Sequence, residues 1–371
     1  MKNNLFYYAT SELSQDAFIC WALNWFNIEP EDAKTGSLHQ MASDILGLLG
    51  ADQLEKESKI IIKRQYCKID VLVIMQNSHR AYIIEDKTFT SEHDDQIQVY
   101  KGTIDNLKDE DISKLGLSGG PKLQVHTVYF KTGFFYDYDK RVKADRVIHS
   151  DDLLSVLRKY CGISEILDDY YDNLVRLNNW YSVHGDFTGT DPETNTMYVM
   201  QDQIAQYQLM RFIFPEISSV LDYGSSYGRP WTELKVFSNE YPQRADVKEK
   251  RKYQVFWRID SDNKGPYLSL RFYDKYDKKD SSQKDQHAET YQNCRNIIRE
   301  ILKTNAKDYQ HDIQDRYGEN YFEATLLHIH LDRILKQWET DKDNFKTFIT
   351  KITEEFFVEM SDLCKSGLFP A

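Results

Sequence analysis

The stretch Ile69–Lys87, IDVLVIMQNSHRAYIIEDK, determines the fold of the first half of the chain. Ile69–Met75 is apolar and rich in β-branched residues apart from Asp70, and the apolar residues that precede Glu85 form a second run, which predicts two strands. The polar residues between the runs predict a turn, so the strands form a hairpin. This hairpin brings Asp70 alongside Glu85 and Lys87.

The charged residues of the hairpin predict a metal-dependent hydrolytic site. A lone carboxylate such as Asp70 is costly to bury and needs a partner or a metal ion. Glu85 and Lys87 are two apart in a strand and therefore point to the same face. Carboxylates bind Mg²⁺, and a lysine beside the metal can position an attacking water. The alternative interpretation is a structural salt-bridge network at the strand end.

Two further motifs flank the hairpin in the sequence. A helix is predicted to begin near Thr10 or Ser11, which are good capping residues, and it carries Glu12 within the sequence SELSQDAF. Downstream, QIQVY lies in a predicted helix over 91–107, where Gln96 and Tyr100 are four apart and share one face.

These motifs, in this order, resemble the PD-(D/E)XK nucleases over about residues 1–180. Asp70 followed by Glu85-Asp86-Lys87 resembles the D…ExK core, and SELSQDAF resembles the first-helix motif of a bacterial and prophage subgroup. Gln96 and Tyr100 resemble the QxxxY motif of RecB-like members. The sequence departs from the family pattern at Asp86, which is expected to face away from the site, and at Ile69, where a proline often stands.

The resemblance implies a restriction-endonuclease-like fold and a nuclease activity that depends on Mg²⁺ or Mn²⁺. It implies that Asp70 and Glu85 bind the metal, that Glu12 helps directly or through water, and that Lys87 handles the nucleophilic water. Gln96 and Tyr100 would support the site or the bound strand. DNA is the expected substrate and partner, with a role in phage defence or prophage biology.

Other functions remain open at the level of sequence. The fold could serve as a catalytically silent module that binds nucleic acid or protein, although the intact Asp70, Glu85 and Lys87 set argues against this. A nuclease or toxin directed at RNA and an unrelated assembly protein are further alternatives. Many nucleases cut two strands as dimers, so a homodimer is also open.

Composition and charge limit the class of protein. The net charge of −12 argues against a protein that coats nucleic acid by charge alone, although the local field at a groove is what matters. The second half contains a basic cluster, formed by Lys248, Lys250, Arg251 and Lys252. A solvated loop and a contact for nucleic acid are equally good interpretations of this cluster. Five scattered cysteines favour neither disulfides nor a zinc site, and no apolar run is long enough to span a membrane, so a cytoplasmic protein is expected.

The chain is predicted to contain two domains. An α/β nuclease domain occupies 1–185, with a mixed sheet flanked by helices, and a polar segment leads to an α+β domain over 196–371. This second domain is expected to hold a three-stranded sheet and helices, including one over 321–338. Aromatic and basic residues alternate in its strands, which is typical either of a packed sheet or of a surface that binds nucleic acid. The candidates for such binding are Arg229, Trp231, Arg258 and Arg271.

One motif in the second half is set aside. The sequence GSSYG over 224–228 fits the GxSxG pattern of serine hydrolases. A nucleophile elbow must lead into a helix, whereas this segment leads into a predicted strand, so a glycine-rich turn is the better interpretation.

Overall fold

The computed structural model describes most of the chain and divides it into two compact units, residues 1–183 and 184–371. The described residues are 3–9, 12–52, 54–57, 59–92, 95–117, 121–184, 199–215, 221–241, 251–305 and 322–365. No helix in these ranges is long and apolar enough to cross a membrane. All five cysteines are free thiols.

The first unit is a mixed α/β structure built on a five-stranded sheet with the order β1-β2-β3-β4-β5. The first three strands are antiparallel neighbours, whereas β4 and β5 run parallel to β3 and β4 respectively. The strands are β1 Ile60–Tyr66, β2 Ile69–Met75, β3 Arg80–Lys87, β4 Gln124–Lys131 and β5 Arg146–His149. The predicted hairpin is confirmed as β2 and β3.

Six α-helices accompany this sheet in the described residues. They are α1 Glu12–Asn24, α2 Ala33–Leu49, α3 Gln96–Asp105, α4 Asp109–Lys114, α5 Ser150–Leu157 and α6 Glu165–His184. One core contains Val71, Val73 and Ile84 with side chains of α1, α2, α5 and α6. A second core contains Leu72, Ile74 and Ile83 with side chains of α3. Alternate residues of the central strands therefore enter different cores, as the two-residue period of a strand requires.

The second unit contains a five-stranded antiparallel sheet with the order β10-β9-β8-β7-β6, rather than the three strands predicted. Its strands are β6 Asp222–Ser226, β7 Arg229–Glu240, β8 Lys252–Asp262, β9 Gly265–Asp274 and β10 Glu323–His330. Its helices are α7 Gln203–Ile213, α8 Ser281–Asn305, α9 Asp332–Lys336 and α10 Trp338–Lys365. Tyr253, Trp257 and Phe272 are fully buried, and the Trp257 indole donates to Thr353 on α10. These aromatic residues belong to the packed face.

Several predicted elements are corrected by the structure. The helix predicted over 321–338 is wrong, because Glu323–His330 pairs with β9 as an edge strand. A second helix, expected from the sequence over about 38–49, begins earlier as α2, since Asp32 caps it by accepting from the backbone N–H of Thr35 at 2.7 Å. Helix α3 begins at Gln96 rather than 91.

The glycine-rich turn is confirmed. The GxSxG segment lies in β6 and a tight turn into β7, with positive φ at Tyr227 and Gly228. Two consecutive positive φ values are what a two-residue hairpin turn of this hand requires. No helix follows the serines of the motif, so they do not form a nucleophile elbow.

Candidate active site

The structure brings Asp70, Glu85 and Lys87 together at one end of the hairpin. Val71 pairs with Ile84, so continuing this register by one residue puts Asp70 opposite Glu85. The Lys87 ammonium forms an ion pair with Glu85 Oε1 and lies 3.8 Å from Asp70 Oδ2. Two carboxylates therefore share one lysine, as the spacing of the residues predicts.

Burial perturbs the charges of this cluster. Glu85 is 1% exposed, and burial raises its pKa from 4.5 to about 7, with Lys87 opposing and Asp70 adding to the shift. Burial by itself would lower the pKa of Lys87, but the charges of Glu85 and Asp70 outweigh it and the pKa of Lys87 is raised. The pair is thus a protonated lysine beside a carboxyl group that titrates near neutral pH, a combination typical of catalytic sites.

Asp70 is held from two sides. Its Oδ2 accepts a hydrogen bond from the backbone N–H of Asp86 at 3.0 Å, and its Oδ1 accepts one from the Gln65 amide at 3.1 Å. The same amide donates to Asp16 at 3.3 Å. Gln65 has a φ of 55°, an uncommon backbone conformation for a residue other than glycine, which is frequent at functional sites.

Glu12 contacts the loop that follows β3. Its Oε1 accepts hydrogen bonds from the backbone N–H of Thr88 at 3.1 Å and from the Thr90 hydroxyl at 3.0 Å. Its charge also contributes to the raised pKa of Lys87. Glu12 is therefore near the predicted site, but its hydrogen bonds fix a loop, which is a role that the sequence did not indicate.

Gln96 and Tyr100 lie on α3 and their side chains meet. The Gln96 amide donates to the Tyr100 hydroxyl at 3.5 Å. The pKa of Tyr100 is raised first by burial and then by the charges of Glu85 and Asp70. Tyr100 is thus on the side of the sheet that carries the acidic residues, as expected for a residue that supports the site.

Asp86, the middle residue of the motif, points to the face of β3 opposite Glu85 and Lys87, as expected. It is fully buried there and accepts a hydrogen bond from Gln15. Burial and the neighbouring Asp16 carboxylate raise its pKa well above the usual value, and burial followed by the charge of Asp70 raises the pKa of Asp16 to about 6. Gln15 and Asp16 lie within the quoted helix motif, so the signal that could have found them was present.

Lys131 is a residue that the sequence interpretation missed. It pairs in register with Lys87, and its fully buried ammonium donates to the Thr90 carbonyl and lies 3.7 Å from Asp139 Oδ2. Burial lowers its pKa to about 8. The signal in the sequence was a lysine directly after Val125–Phe130, a segment rich in β-branched and aromatic residues that is typical of a strand.

The four candidate nucleic-acid residues of the second unit are engaged with their own sheet. Arg229 donates to the Ser261 carbonyl and to Asn263, and Arg258 lies over the Trp231 ring at 4.8 Å. Arg258 also pairs with Asp260 at 3.1 Å, and Arg271 pairs with Glu323. Binding of nucleic acid by these residues stays a prediction, and it would have to compete with these ion pairs.

The structure describes two of the four residues of the basic cluster in the second half. Lys248 and Lys250 lie outside the described residues. Arg251 is not a solvated residue, since it makes two hydrogen bonds, at 2.9 and 2.7 Å, to the fully buried carboxylate of Asp274. Lys252 is exposed and pairs with Glu240 at 3.2 Å. Arg251 therefore has a structural role.

The donor set at Asp70 and Glu85 is compatible with Mg²⁺. Within the described ranges, no three acidic, histidine or cysteine side chains converge to hold a metal ion. Mg²⁺ is nevertheless commonly held by one or two carboxylates with several waters and substrate phosphates. Glu85 Oε2 is buried and has no hydrogen-bond partner in the described part of the chain. Asp70 and Glu85 supply hard oxygen ligands and already share one cation, the Lys87 ammonium. They therefore fit Mg²⁺.

Comparison of the chain with protein-family models, curated proteins and solved structures found no match. Membership of the PD-(D/E)XK superfamily therefore stays a prediction that depends on the motifs quoted above. The geometry of Asp70, Glu85 and Lys87 is the basis for assigning a function.

Proposed function

We propose that the first unit is a PD-(D/E)XK nuclease of restriction-endonuclease-like fold that hydrolyses phosphodiester bonds in DNA with the help of Mg²⁺ or Mn²⁺. One observation carries the proposal: the ammonium of Lys87 lies against both Asp70 and Glu85 at the end of the β2–β3 hairpin. A purely structural salt bridge would not require a second carboxylate within 4 Å of the same lysine, nor a glutamate whose other oxygen is buried without a partner.

Asp70 and Glu85 would hold the metal ion. When bound, the ion would supply positive charge that polarises the phosphoryl group and lowers the pKa of a water. The unpartnered Oε2 of Glu85 and the two oxygens of Asp70 are the atoms available for this role.

Lys87 provides the second part of the chemistry. Its ammonium is kept protonated by Glu85 and Asp70, so it can donate a hydrogen bond to the attacking water or to a phosphate oxygen on which charge develops. Burial raises the pKa of Glu85 to about 7 without a metal, and a bound cation would favour the ionised carboxylate that serves as its ligand. Tyr100 and Gln96 border the acidic side of the site and would support the bound strand.

The test is cleavage of a panel of linear, circular and single-stranded DNA and of RNA, with Mg²⁺, with Mn²⁺ and with a chelator. The test variant is Lys87→Ala. Its matched control is Lys159→Ala, because Lys159 is an exposed lysine of the same unit that pairs with Asp44 at 3.1 Å.

We expect metal-dependent cleavage that is lost in the Lys87 variant and kept in the Lys159 variant. Cleavage of RNA alone would change the substrate class but keep the site. No cleavage of any substrate, together with no Mn²⁺ binding by calorimetry, would overturn the proposal and favour a module that binds without catalysis.

A further inference from the structure

An exposed phenylalanine stands next to the candidate active site. Phe89 follows Lys87 by two residues, and 50% of its surface is exposed. A single exposed apolar side chain is common and by itself carries no functional meaning. Phe89 differs because hydrogen bonds hold the backbone on both sides of it.

Three independent contacts hold the turn Thr88–Thr90. The Glu12 carboxylate accepts from the Thr88 N–H and from the Thr90 hydroxyl, at 3.1 and 3.0 Å. The buried ammonium of Lys131 donates to the Thr90 carbonyl. The backbone of Gly133 lies so close that a Cβ there would be 1.6 Å from the Thr88 carbonyl oxygen. The turn is thus built to keep Phe89 in its exposed position.

Exposed cations lie on the edge of the sheet that carries the candidate site. Lys63, Arg64 and Lys68 are exposed on or just after the edge strand β1, and none has a carboxylate within 4.0 Å in the described part of the chain. Arg64 pairs in register with Val71, next to Asp70. In a chain of net charge −12, three exposed cations on this edge strand favour an anionic partner, although Arg64 also interacts with the charge of Asp16.

A further cation lines a cleft beside Phe89. A cleft of about 50 Å³ is lined by Thr88, Phe89, Asn173 and Arg176. Arg176 is exposed, donates to Asn173 at 3.0 Å, and lies over the Tyr7 ring at 4.8 Å rather than against a carboxylate. The aromatic ring therefore lines the same cleft as a guanidinium that suits phosphate oxygens.

We propose that Phe89 stacks on an unstacked nucleobase of the strand that is bound at Asp70, Glu85 and Lys87. In an intact duplex both faces of an internal base are covered by its neighbours, so only a single strand or a frayed end offers a free face. The substrate class is therefore nucleic acid with unpaired bases. This inference rests on the proposed function, because that function brings the strand to Lys87.

The test measures binding without catalysis. Labelled oligo(dT) and a blunt two-stranded duplex with G·C pairs at both ends are titrated with the full chain in chelator, and Kd is measured by fluorescence anisotropy. The variants are Phe89→Ala, Phe89→Trp and the control Phe357→Ala, since Phe357 is also 50% exposed but belongs to the second unit. Thermal unfolding of each variant checks that it is folded, which is expected because both side chains are exposed.

A stacked base contributes about 1–3 kcal/mol, so Phe89→Ala should weaken binding of oligo(dT) roughly 5- to 150-fold. Phe89→Trp should bind at least as tightly as the natural protein, and Phe357→Ala should bind equally. Binding of the duplex should change by less than about twofold in every variant.

Unchanged binding of oligo(dT) by Phe89→Ala, or an equal loss on the duplex, would overturn the inference. Its failure is distinguishable from that of the proposed function. If the natural protein cleaves DNA with metal and Phe89→Ala binds oligo(dT) normally, only the stacking role is rejected. If the natural protein does not cleave DNA but needs Phe89 to bind oligo(dT), only the catalytic role is rejected.

Discussion

The side-chain amide of Gln15 donates a hydrogen bond to Asp86, the middle residue of the Glu85–Lys87 motif. The amide oxygen of Gln15 accepts from the Thr132 hydroxyl at 2.6 Å and from the Tyr170 hydroxyl at 3.0 Å. One buried side chain therefore joins α1, β3, the end of β4 and α6. The strand that carries the candidate catalytic residues is fixed from the face opposite the site.

Replacement of Gln15 by leucine should destabilise the first unit strongly. It would leave Asp86, Thr132 and Tyr170 without these partners in a buried position, at a cost of about 1–3 kcal/mol for each unsatisfied group. Urea denaturation should show a loss of at least about 3 kcal/mol. Gln40→Leu is the control, because the exposed side chain of Gln40 donates to Asp44 at 3.2 Å and takes part in no buried network among the described residues, and it should change stability by less than about 0.5 kcal/mol. Equal effects of the two changes would contradict the structural role of Gln15.

Substitutions of Glu12 separate anchoring of the Thr88–Thr90 turn from metal binding. A glutamine keeps an oxygen that can accept from Thr88 and Thr90 but removes the negative charge. If Glu12 acts mainly as an anchor, Glu12→Gln should keep Mn²⁺ affinity within about threefold, whereas Glu12→Ala should lower stability by about 1–3 kcal/mol. Calorimetry with Mn²⁺ and thermal unfolding measure the two effects. A loss of Mn²⁺ binding in Glu12→Gln equal to that in Asp70→Asn would instead identify Glu12 as a ligand.

Glu85 should make stability depend on pH in the absence of metal. Its pKa is raised by burial from 4.5 to about 7, so the folded state binds this proton at a pH where the unfolded state has lost it. The associated stability is present below pH 4.5 and is lost as the pH rises to about 7.

The variant Glu85→Gln lacks this titration. Its free energy of unfolding, relative to that of the natural protein, should increase between pH 4.5 and about 7 and stay level above, as measured by urea denaturation in chelator. The full shift corresponds to at most about 3 kcal/mol, and loss of the pairing with Lys87 reduces the absolute gain at every pH. A difference that does not vary over this range would show that Glu85 titrates normally.

Arg251 should be essential for the stability of the second unit. The Asp274 carboxylate is fully buried and is shared by Arg251, the Tyr241 hydroxyl and His287. Arg251→Ala would leave this charge without its guanidinium partner, which typically costs about 3–5 kcal/mol. The next residue offers a control, since Lys252 is exposed and Lys252→Ala should cost less than about 1 kcal/mol. Thermal unfolding that falls equally in both variants would argue against a buried charge at Asp274.

Local patterns of the sequence predicted the part of the site that lies within one hairpin. The apolar runs determine β2 and β3, and the two-residue period of a strand puts Glu85 and Lys87 on one face. The antiparallel register then brings Asp70 to them. The same local reasoning was wrong at Glu323–His330, because a short apolar run is compatible with a helix or a strand, and its pairing with β9, fifty residues earlier in the chain, decides between them.

Partners distant in the sequence were not predictable in this way. Glu12 is 76 residues from Thr88, and Gln15 is 71 residues from Asp86 and 117 from Thr132. The periodicity of α1 does not indicate which strand its polar face will contact. The buried position of Asp86 likewise depends on the helix that packs behind β3.

The sequence by itself determined the β2–β3 hairpin and the meeting of Asp70, Glu85 and Lys87, since hydrophobic periodicity and strand register are local properties. Only the tertiary structure decided that Glu12 anchors a turn, that Lys131 is buried beneath it and that Phe89 is held exposed beside Lys87. The physical reason is that a buried polar group must find its partner among whatever elements pack against it, and this packing is decided by the whole fold.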